Sequence, residues 1–231
     1  MFPPLFSGEA AGDLGTPFDL AVAAAQAGCD AGRVIHDLGR DKMRAAIVFA
    51  PEVPLAQAAA VLPICGVGFQ NALGALAPPE VEVRIAWGGD ILLNGGQCGA
   101  LRLAGPRCGD GEVPDWLLVG LELQLWPLSE EGGLTPELTA LFAEGCADVD
   151  PVQLLEAWVR HSLVWLDTWE GEGVVALHRE FSGITHESGA AISVLGQSGS
   201  YTGLDEHLGL LMKQDQGTRL LPLSTLMEVQ R

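Results

Sequence analysis

The strongest periodic pattern in the chain is helical and lies at residues 150–172. Apolar side chains recur there at intervals of three and four residues and so share one face of a helix. They are Val152, Leu155, Val159, Leu163 and Leu166. Asp150 and Pro151 are typical of a helix start, and Gly171 and Gly173 are typical of a helix end. We therefore predict a long helix over this segment.

Two further helices are predicted nearer the N-terminus. A hydroxyl cap at Thr16 and a stop at Gly28 frame a helix over residues 17–27. A second apolar stretch over residues 55–76 also reads as helical. Pro63 lies inside it and must kink or divide it, because proline removes a backbone donor.

Alternating apolar and polar residues predict β-strands in the middle of the chain. The predicted strands cover residues 33–38, 45–49, 81–87, 90–93, 97–103 and 116–126. The first two form a hairpin around the polar turn at residues 39–42. The Asn94-Gly95 pair tolerates positive φ and predicts a second tight hairpin.

After about residue 181 the pattern changes to short strands separated by tight turns, at residues 191–195, 200–202, 209–213 and 218–223. Such spacing is typical of a small β-barrel, here of roughly 45 residues. We therefore predict two domains, at residues 1–183 and 184–231.

The charge of the chain excludes one class of partner. Of the 231 residues, 12 are Lys or Arg and 30 are Asp or Glu, which gives a formal net charge of −18. A field of that sign repels phosphate backbones, so we expect no nucleic acid partner. At 48% hydrophobic and 18% charged residues, the chain has ample material for a core of its own.

We also expect a soluble, cytoplasmic protein. The first residues lack the basic end and apolar centre of a signal peptide. We expect no apolar run of the roughly 18 to 20 uncharged residues that a membrane span requires. A membrane partner is therefore not expected.

Cysteine and histidine spacings predict no metal site. The five cysteines are odd in number and form no CxxC pair, which argues against a disulfide framework and against a zinc cage. The five histidines never fall at spacings that place two ligands on one metal. The chain contains two lysines in all, Lys42 and Lys213, so chemistry that needs a lysine has few candidates.

Three segments together resemble the biotin and lipoate protein ligase family, in particular its biotin ligase branch. Residues 83–99 are similar to the family's strand, Lys-Trp-Pro-Asn-Asp turn, aliphatic strand, Asn-Gly hairpin and lysine-containing return to a glycine, here Gly99. Residues 116–124, with Gly120, are similar to the next strand, an aliphatic run ending Gly-Ile-Gly-x-Asn. Residues 203–211 resemble the Gly-x-Asp turn and Gly-Leu-Leu strand of the family's SH3-like C-terminal domain.

The resemblance implies an α/β (α+β) fold related to class II tRNA synthetases, in which helices back a mixed sheet, followed by a small SH3-like β-barrel. It implies ATP-dependent activation of biotin, lipoate or octanoate and transfer of the acyl group to a lysine of a biotinyl or lipoyl carrier domain. Family members often pair as homodimers. Only about 16 residues precede the first predicted helix, so the helix-turn-helix of the family's DNA-binding repressors is not expected.

The chain departs from the family pattern where positive charge is needed. Ala86 stands in place of the lysine of the Lys-Trp-Pro-Asn-Asp turn, and Gln97 replaces the lysine of the return strand. A short turn at residues 39–44 stands where the family has an arginine-rich glycine loop. A carboxylate and an α-phosphate need fixed cations to meet, and one such contact is typically worth about 10²- to 10³-fold in rate. The usual ligation is therefore expected to be lost or altered.

Candidate ligand-binding residues remain around the predicted cleft, although no catalytic residue is assigned. They are Trp87, Asp90, Gly99, Gly120, Gln70, Asn71, Arg40 and Lys42. Trp87 either stacks on a ligand or packs in the core, and Asp90 either orients a ligand or caps its own turn. The cluster of Arg40, Lys42 and Arg44 is either an anion site or a solvated turn.

Three hypotheses follow for the function. In the first, the protein binds a small acyl, biotin-like or nucleotide ligand, and the usual ATP-dependent ligation is lost or altered. In the second, it is a working ligase that uses Arg40, Lys42 or Arg44. In the third, it is a non-catalytic adaptor that binds a carrier domain or another protein.

Overall fold

The computed structural model describes residues 2–127 and 137–230, which form two β-sheets and a helical layer. In chain order the elements are β1 (Ser7–Ala10), α1 (Pro17–Gln26), β2 (Arg33–Leu38), β3 (Lys42–Phe49), α2 (Leu55–Ala58), α3 (Val61–Leu76), β4 (Val83–Ile85), β5 (Asp90–Leu93), β6 (Gly96–Pro106), β7 (Leu117–Gln124), α4 (Pro151–Glu172), α5 (Val174–Ile184), β8 (Ala191–Val194), β9 (Gln197–Leu204), β10 (Leu210–Gln214), β11 (Gly217–Leu221) and β12 (Met227–Gln230). Short 3₁₀ turns lie at Leu141–Glu144 and Leu223–Leu226.

The large sheet is mixed and has the strand order β1-β2-β3-β7-β6-β5-β4, with β12 beside the end of β6. The β1–β2 and β12–β6 pairs are parallel, and the other pairs are antiparallel. Helix α1 covers one face over β2, β3 and β7, whereas α3 lies on the opposite face against α4, α5, β4 and β6. The predicted mixed sheet backed by helices is confirmed.

Local signals placed the first and the longest helix correctly. The Thr16 hydroxyl accepts a hydrogen bond from the Asp19 N–H at 3.2 Å, and Asp150 accepts one from the Val152 N–H at 2.9 Å. Both caps satisfy amide groups that a helix start leaves unpaired. On α4, Leu155 and Val159 of the predicted apolar face are buried, and so is Trp158, whereas Val152 departs from the prediction because it is 50% exposed.

The predicted division of the middle helix is confirmed, but the break is not at Pro63. Helix α2 ends at Ala58 and α3 begins at Val61. Pro63 falls in the first turn of α3, where a missing amide hydrogen costs no helical hydrogen bond.

The expectation that no uncharged run reaches membrane length is wrong. Residues Leu55–Leu76 form a 22-residue stretch with a mean hydropathy of 1.5 that is long and apolar enough to cross a membrane. It is 72% buried within the protein. Since its apolar surface is already covered, we assign it to the core.

The C-terminal strands, predicted as a small SH3-like barrel, form a separate antiparallel sheet that is not closed within the described residues. Their order is β11-β10-β9-β8, and all three pairings are antiparallel. The last strand, β12, pairs with β6 of the large sheet and so does not close the small one. The two sheets share a core, because Tyr201, Leu208 and Leu210 belong to the same buried cluster as Trp87 and Phe181. The domain division at residue 183 stays a prediction.

Candidate functional site

A row of directly paired residues crosses the large sheet from β2 to the end of β4. We call it the polar row, and it consists of Asp37, Arg44, Glu122, Ala100, Asp90 and Ala86. Directly opposed residues of neighbouring antiparallel strands point to the same face of a sheet. The neighbours of the row along the strands, such as Met43 and Leu123, are buried in the core on the other side. The polar row therefore lies on the face that α1 partly covers.

Glu122 holds both basic side chains of the β2–β3 hairpin that reach this face. Its carboxylate accepts hydrogen bonds from Lys42 Nζ and, at 3.2 Å, from Arg44 Nε. Arg44 Nη1 also donates to Asp37 at 3.3 Å. Partial burial tends to raise the pKa of Glu122, but the two cations together hold that pKa below its usual value. Lys42 and Arg44 are thus neutralised within the protein.

The sheet surface above Gly120 is filled by α1. A Cβ atom at Gly120 would lie 2.4 Å from the Phe18 ring, so only glycine leaves room for that ring. The Arg102 guanidinium lies 4.0 Å from the centroid of the same ring. Arg102 also forms a bidentate pair with Glu228, at 2.7 and 2.6 Å, which raises its pKa.

Asp90 lies at the open end of the polar row, with the side chain of Gln97 beside it. Gln97 Nε2 donates to Asp90 Oδ1 at 2.8 Å, so a neutral amide stands where the family pattern has a lysine. Burial raises the pKa of the Asp90 carboxyl, although the side chain remains partly exposed. Ala86, the other lysine position, ends the row with its N–H donating to the Asp90 carbonyl at 2.8 Å.

Trp87 lies in the core, which matches the packing interpretation. Its side chain is fully buried, and its indole N–H donates to the Leu208 carbonyl of the C-terminal segment at 2.8 Å. Its backbone N–H donates to His186 Nε2 at 3.3 Å. Trp87 therefore joins the large sheet to the small one.

The remaining candidate residues are not brought together. Gln70 and Asn71 lie within α3, on the face of the sheet opposite to Gly120. Asn71 donates to Gln70 at 2.6 Å and accepts from the Trp165 indole at 2.8 Å.

Gly99 and Arg40 are not members of the polar row either. Gly99 pairs with Leu123, and a Cβ atom there would lie 2.2 Å from the Glu122 carbonyl oxygen. Gly99 thus permits the close approach of two strands. Arg40 is exposed at the hairpin turn, outside the polar row.

Glu122, Arg102 and Phe18 were missed by sequence reasoning. The sequence does contain a signal for Glu122. Gly120-Leu121-Glu122 aligns with the Gly-Ile-Gly of the family pattern Gly-Ile-Gly-x-Asn, so a glutamate replaces the second glycine. No comparable signal marked Arg102 or Phe18. Across residues 2–127 and 137–230, no group of three His, Cys, Asp or Glu side chains is placed to hold a metal ion.

Comparison with known proteins assigns the chain to a family. The model of the biotin/lipoate A/B protein ligase family matches residues 2–183. A biotin–[acetyl-CoA-carboxylase] ligase of Paracoccus denitrificans is 23% identical over 182 residues, which are 76% of this chain and 75% of that protein.

Solved structures show the same fold. A biotin protein ligase-like protein of unknown function from Silicibacter sp. TM1040 is 52% identical, with a TM-score of 0.92 over 99% of both chains. A biotin protein ligase from Aquifex aeolicus in complex with biotin and ATP has a TM-score of 0.68 at 13% identity, over 94% of both chains. By the match over residues 2–183, this chain belongs to the biotin/lipoate A/B protein ligase family.

Proposed function

We propose that this protein is a non-ligating member of its family that binds an acyl group of the biotin or lipoate type in an uncharged form. Such a form is the amide that joins the acyl group to a carrier-domain lysine. The observation that carries the proposal is the pairing of Glu122 with both Lys42 and Arg44.

Charge on the α1-covered face argues against ATP-dependent activation. The cations there, Lys42, Arg44, Arg102 and Arg33, stand against the carboxylates Asp37, Glu122, Asp90, Glu228 and Glu9. Two anions, a carboxylate and a phosphate chain, require preorganised positive charge to react. A face whose cations are already paired supplies none, and Ala86 adds none.

The same charge pattern favours an amide over a free acid. Helix α1 contacts β2, β3 and β7 but leaves the β5 end of the face open, where Ala100 is partly exposed beside Asp90 and Gln97. A carboxylate beside Asp90 would be repelled, whereas an amide N–H can donate to Asp90 and an amide carbonyl can accept from Gln97. The proposed ligand therefore carries a neutral acyl amide, and the proposed setting is the cytoplasm.

Two measurements test the proposal. Pyrophosphate exchange with ATP and biotin, lipoate or octanoate is expected to stay at background. Calorimetry is expected to show that biotinamide or lipoamide binds at least about threefold more tightly than the free acid, as one unfavourable exposed charge contact would cause.

A matched pair of variants locates the ligand. Ala100→Trp fills the open end of the face and is expected to abolish amide binding, whereas Ala147→Trp, at an exposed position elsewhere, leaves it unchanged. Pyrophosphate exchange that depends on Lys42 would instead support a working ligase. Binding of an unacylated carrier domain without any affinity for the amides would support the adaptor.

A further inference from the structure

A cavity that is separate from the polar row opens at the side of the helical layer. We call it the lateral cavity. It has a volume of about 980 Å³ and lies between the N-terminal segment, the chain after β3 and the end of α4, with His207 at its margin. Small-molecule sites commonly have volumes of roughly 300–1,000 Å³ and often lie where separate parts of a fold meet. No residue of the polar row lines it.

The walls of the lateral cavity are rich in apolar and aromatic side chains. Phe6, Val53, Leu166 and Trp169 line it and remain partly exposed, and Leu5 at the rim is 82% exposed. Exposed apolar surface of this kind gains free energy when a ligand covers it. The cavity therefore suits a ligand with an apolar body.

The charges around the lateral cavity favour a ligand with a positive charge. Glu52 and Glu170 line it and are exposed, and no Lys or Arg of the described part of the chain does so. The faces of Trp and Phe rings attract cations, and carboxylates that line the same cavity add a favourable charge contact for an ammonium group. A carboxylate ligand would meet repulsion from both glutamates.

The N-terminal wall is held in place by a close backbone contact. A Cβ atom at Gly32 would lie 1.9 Å from the Leu5 carbonyl oxygen, and Gly32 has a φ of +80°. The Gly32 carbonyl accepts a hydrogen bond from the Ser7 N–H at 3.0 Å. Leu5 itself has a φ of 79°, which a non-glycine residue rarely adopts. The wall is thus a built feature that one substitution at Gly32 would displace.

From these observations we propose that the lateral cavity is a binding site for an organic cation, an ammonium group on an apolar body. The site is separate from the acyl site proposed above. It requires no reaction and no metal.

Three probes with one apolar body test the proposal: 4-phenylbutylamine, 4-phenylbutanol and 4-phenylbutyrate. Calorimetry is expected to rank the amine first, the alcohol second and the acid last. The indole N–H signal of Trp169 in an NMR spectrum is expected to shift on addition of the amine. Equal affinities for amine and acid, no measurable binding of the amine, or an unmoved Trp169 signal would overturn the proposal.

Paired variants separate a specific site from the general acidity of the chain. The double variant Glu52→Gln and Glu170→Gln is expected to weaken amine binding about 3- to 10-fold, in line with two exposed charge contacts, and to leave alcohol binding unchanged. The double variant Glu80→Gln and Asp148→Asn removes two exposed carboxylates outside the cavity and is expected to change neither. An equal loss in both double variants would contradict the assignment.

A substitution in the N-terminal wall tests the lateral cavity without changing the charge of any residue that lines it. Gly32→Ala is expected to weaken the binding of both amine and alcohol, because it displaces Leu5 from the rim. Unchanged binding of both probes in a folded Gly32→Ala protein would argue against the lateral cavity as their site.

Discussion

Glu122 on β7 lies directly opposite Arg44 on β3, and its carboxylate accepts from Arg44 Nε at 3.2 Å while also pairing with Lys42. Glu122 stands at the position where the family pattern has a glycine. A glycine has no side chain, whereas the Glu122 carboxylate pairs with both cations of the hairpin, Lys42 and Arg44. This contact, together with Ala86, is the physical basis for expecting no carboxylate activation.

Removing the negative charge of Glu122 should measurably strengthen anion binding by Lys42 and Arg44. In Glu122→Gln, Lys42 and Arg44 lose their charged partner, so we expect inorganic pyrophosphate to bind several-fold more tightly at low ionic strength and the gain to fade with added salt. The cost in stability should be no more than about 1 kcal/mol, since the side chains are partly exposed. Glu9→Gln, which breaks the exposed pair with Arg33 on another strand, serves as the control. Identical pyrophosphate binding in wild type and Glu122→Gln would contradict the account.

Gly120 should tolerate no larger residue. Gly120→Ala places a methyl group against the Phe18 ring and is expected to lower the free energy of unfolding by about 1–3 kcal/mol. A Phe18→Leu substitution made together with it should recover part of that loss, which a double-mutant cycle measures by urea denaturation. Gly183→Ala in α5, where a Cβ atom meets open space, should be neutral or stabilising.

Trp87 should couple the two sheets through its indole N–H. Trp87→Phe removes the donor to the Leu208 carbonyl inside the core and is expected to cost about 1–3 kcal/mol. Trp126→Phe, at a side chain that is 49% exposed, should cost much less. Similar unfolding midpoints for the two variants would speak against a structural role of the Trp87 hydrogen bond.

Stability should fall in mild acid because of His186. Burial, assisted by the nearby Arg84 cation, lowers the pKa of His186, and its Nε2 must stay unprotonated to accept from the Trp87 N–H. The unfolded chain therefore binds the proton more readily, so this contribution is complete above the ordinary histidine pKa of about 6.5 and is lost as the pH falls below it. Burial also lowers the pKa of His36 and His161, which act in the same direction.

The measurement compares unfolding free energies at pH 7.5 and 5.5. His186→Gln keeps an acceptor without a titrating ring and is expected to lose less stability between these pH values than the wild type does. His207→Gln, at a side chain that is 70% exposed, should behave like the wild type. An unchanged pH dependence in His186→Gln would show that other groups carry the effect.

Elements with strong local signals were predictable, and elements without them were not. The caps at Thr16 and Asp150 and the Asn94-Gly95 turn depend on neighbouring residues, so the pattern of the chain placed them correctly. Strand β1 (Ser7–Ala10) is exposed throughout and shows no alternation, and β12 (Met227–Gln230) alternates over four residues only, which is too short a pattern to predict a strand. Only their pairing partners define them as strands.

By itself the sequence determined the family, the main helices and hairpins, and the replacement of two family lysines by Ala86 and Gln97, because these features depend on residue types at short spacings. Only the tertiary structure decided that Glu122 neutralises Lys42, 80 residues away, and that Trp87 reaches Leu208, 121 residues away. It also set Gln70 and Gly120 on opposite faces of the sheet and opened the lateral cavity. Such contacts arise from strand order and layer packing, which a local periodicity does not encode.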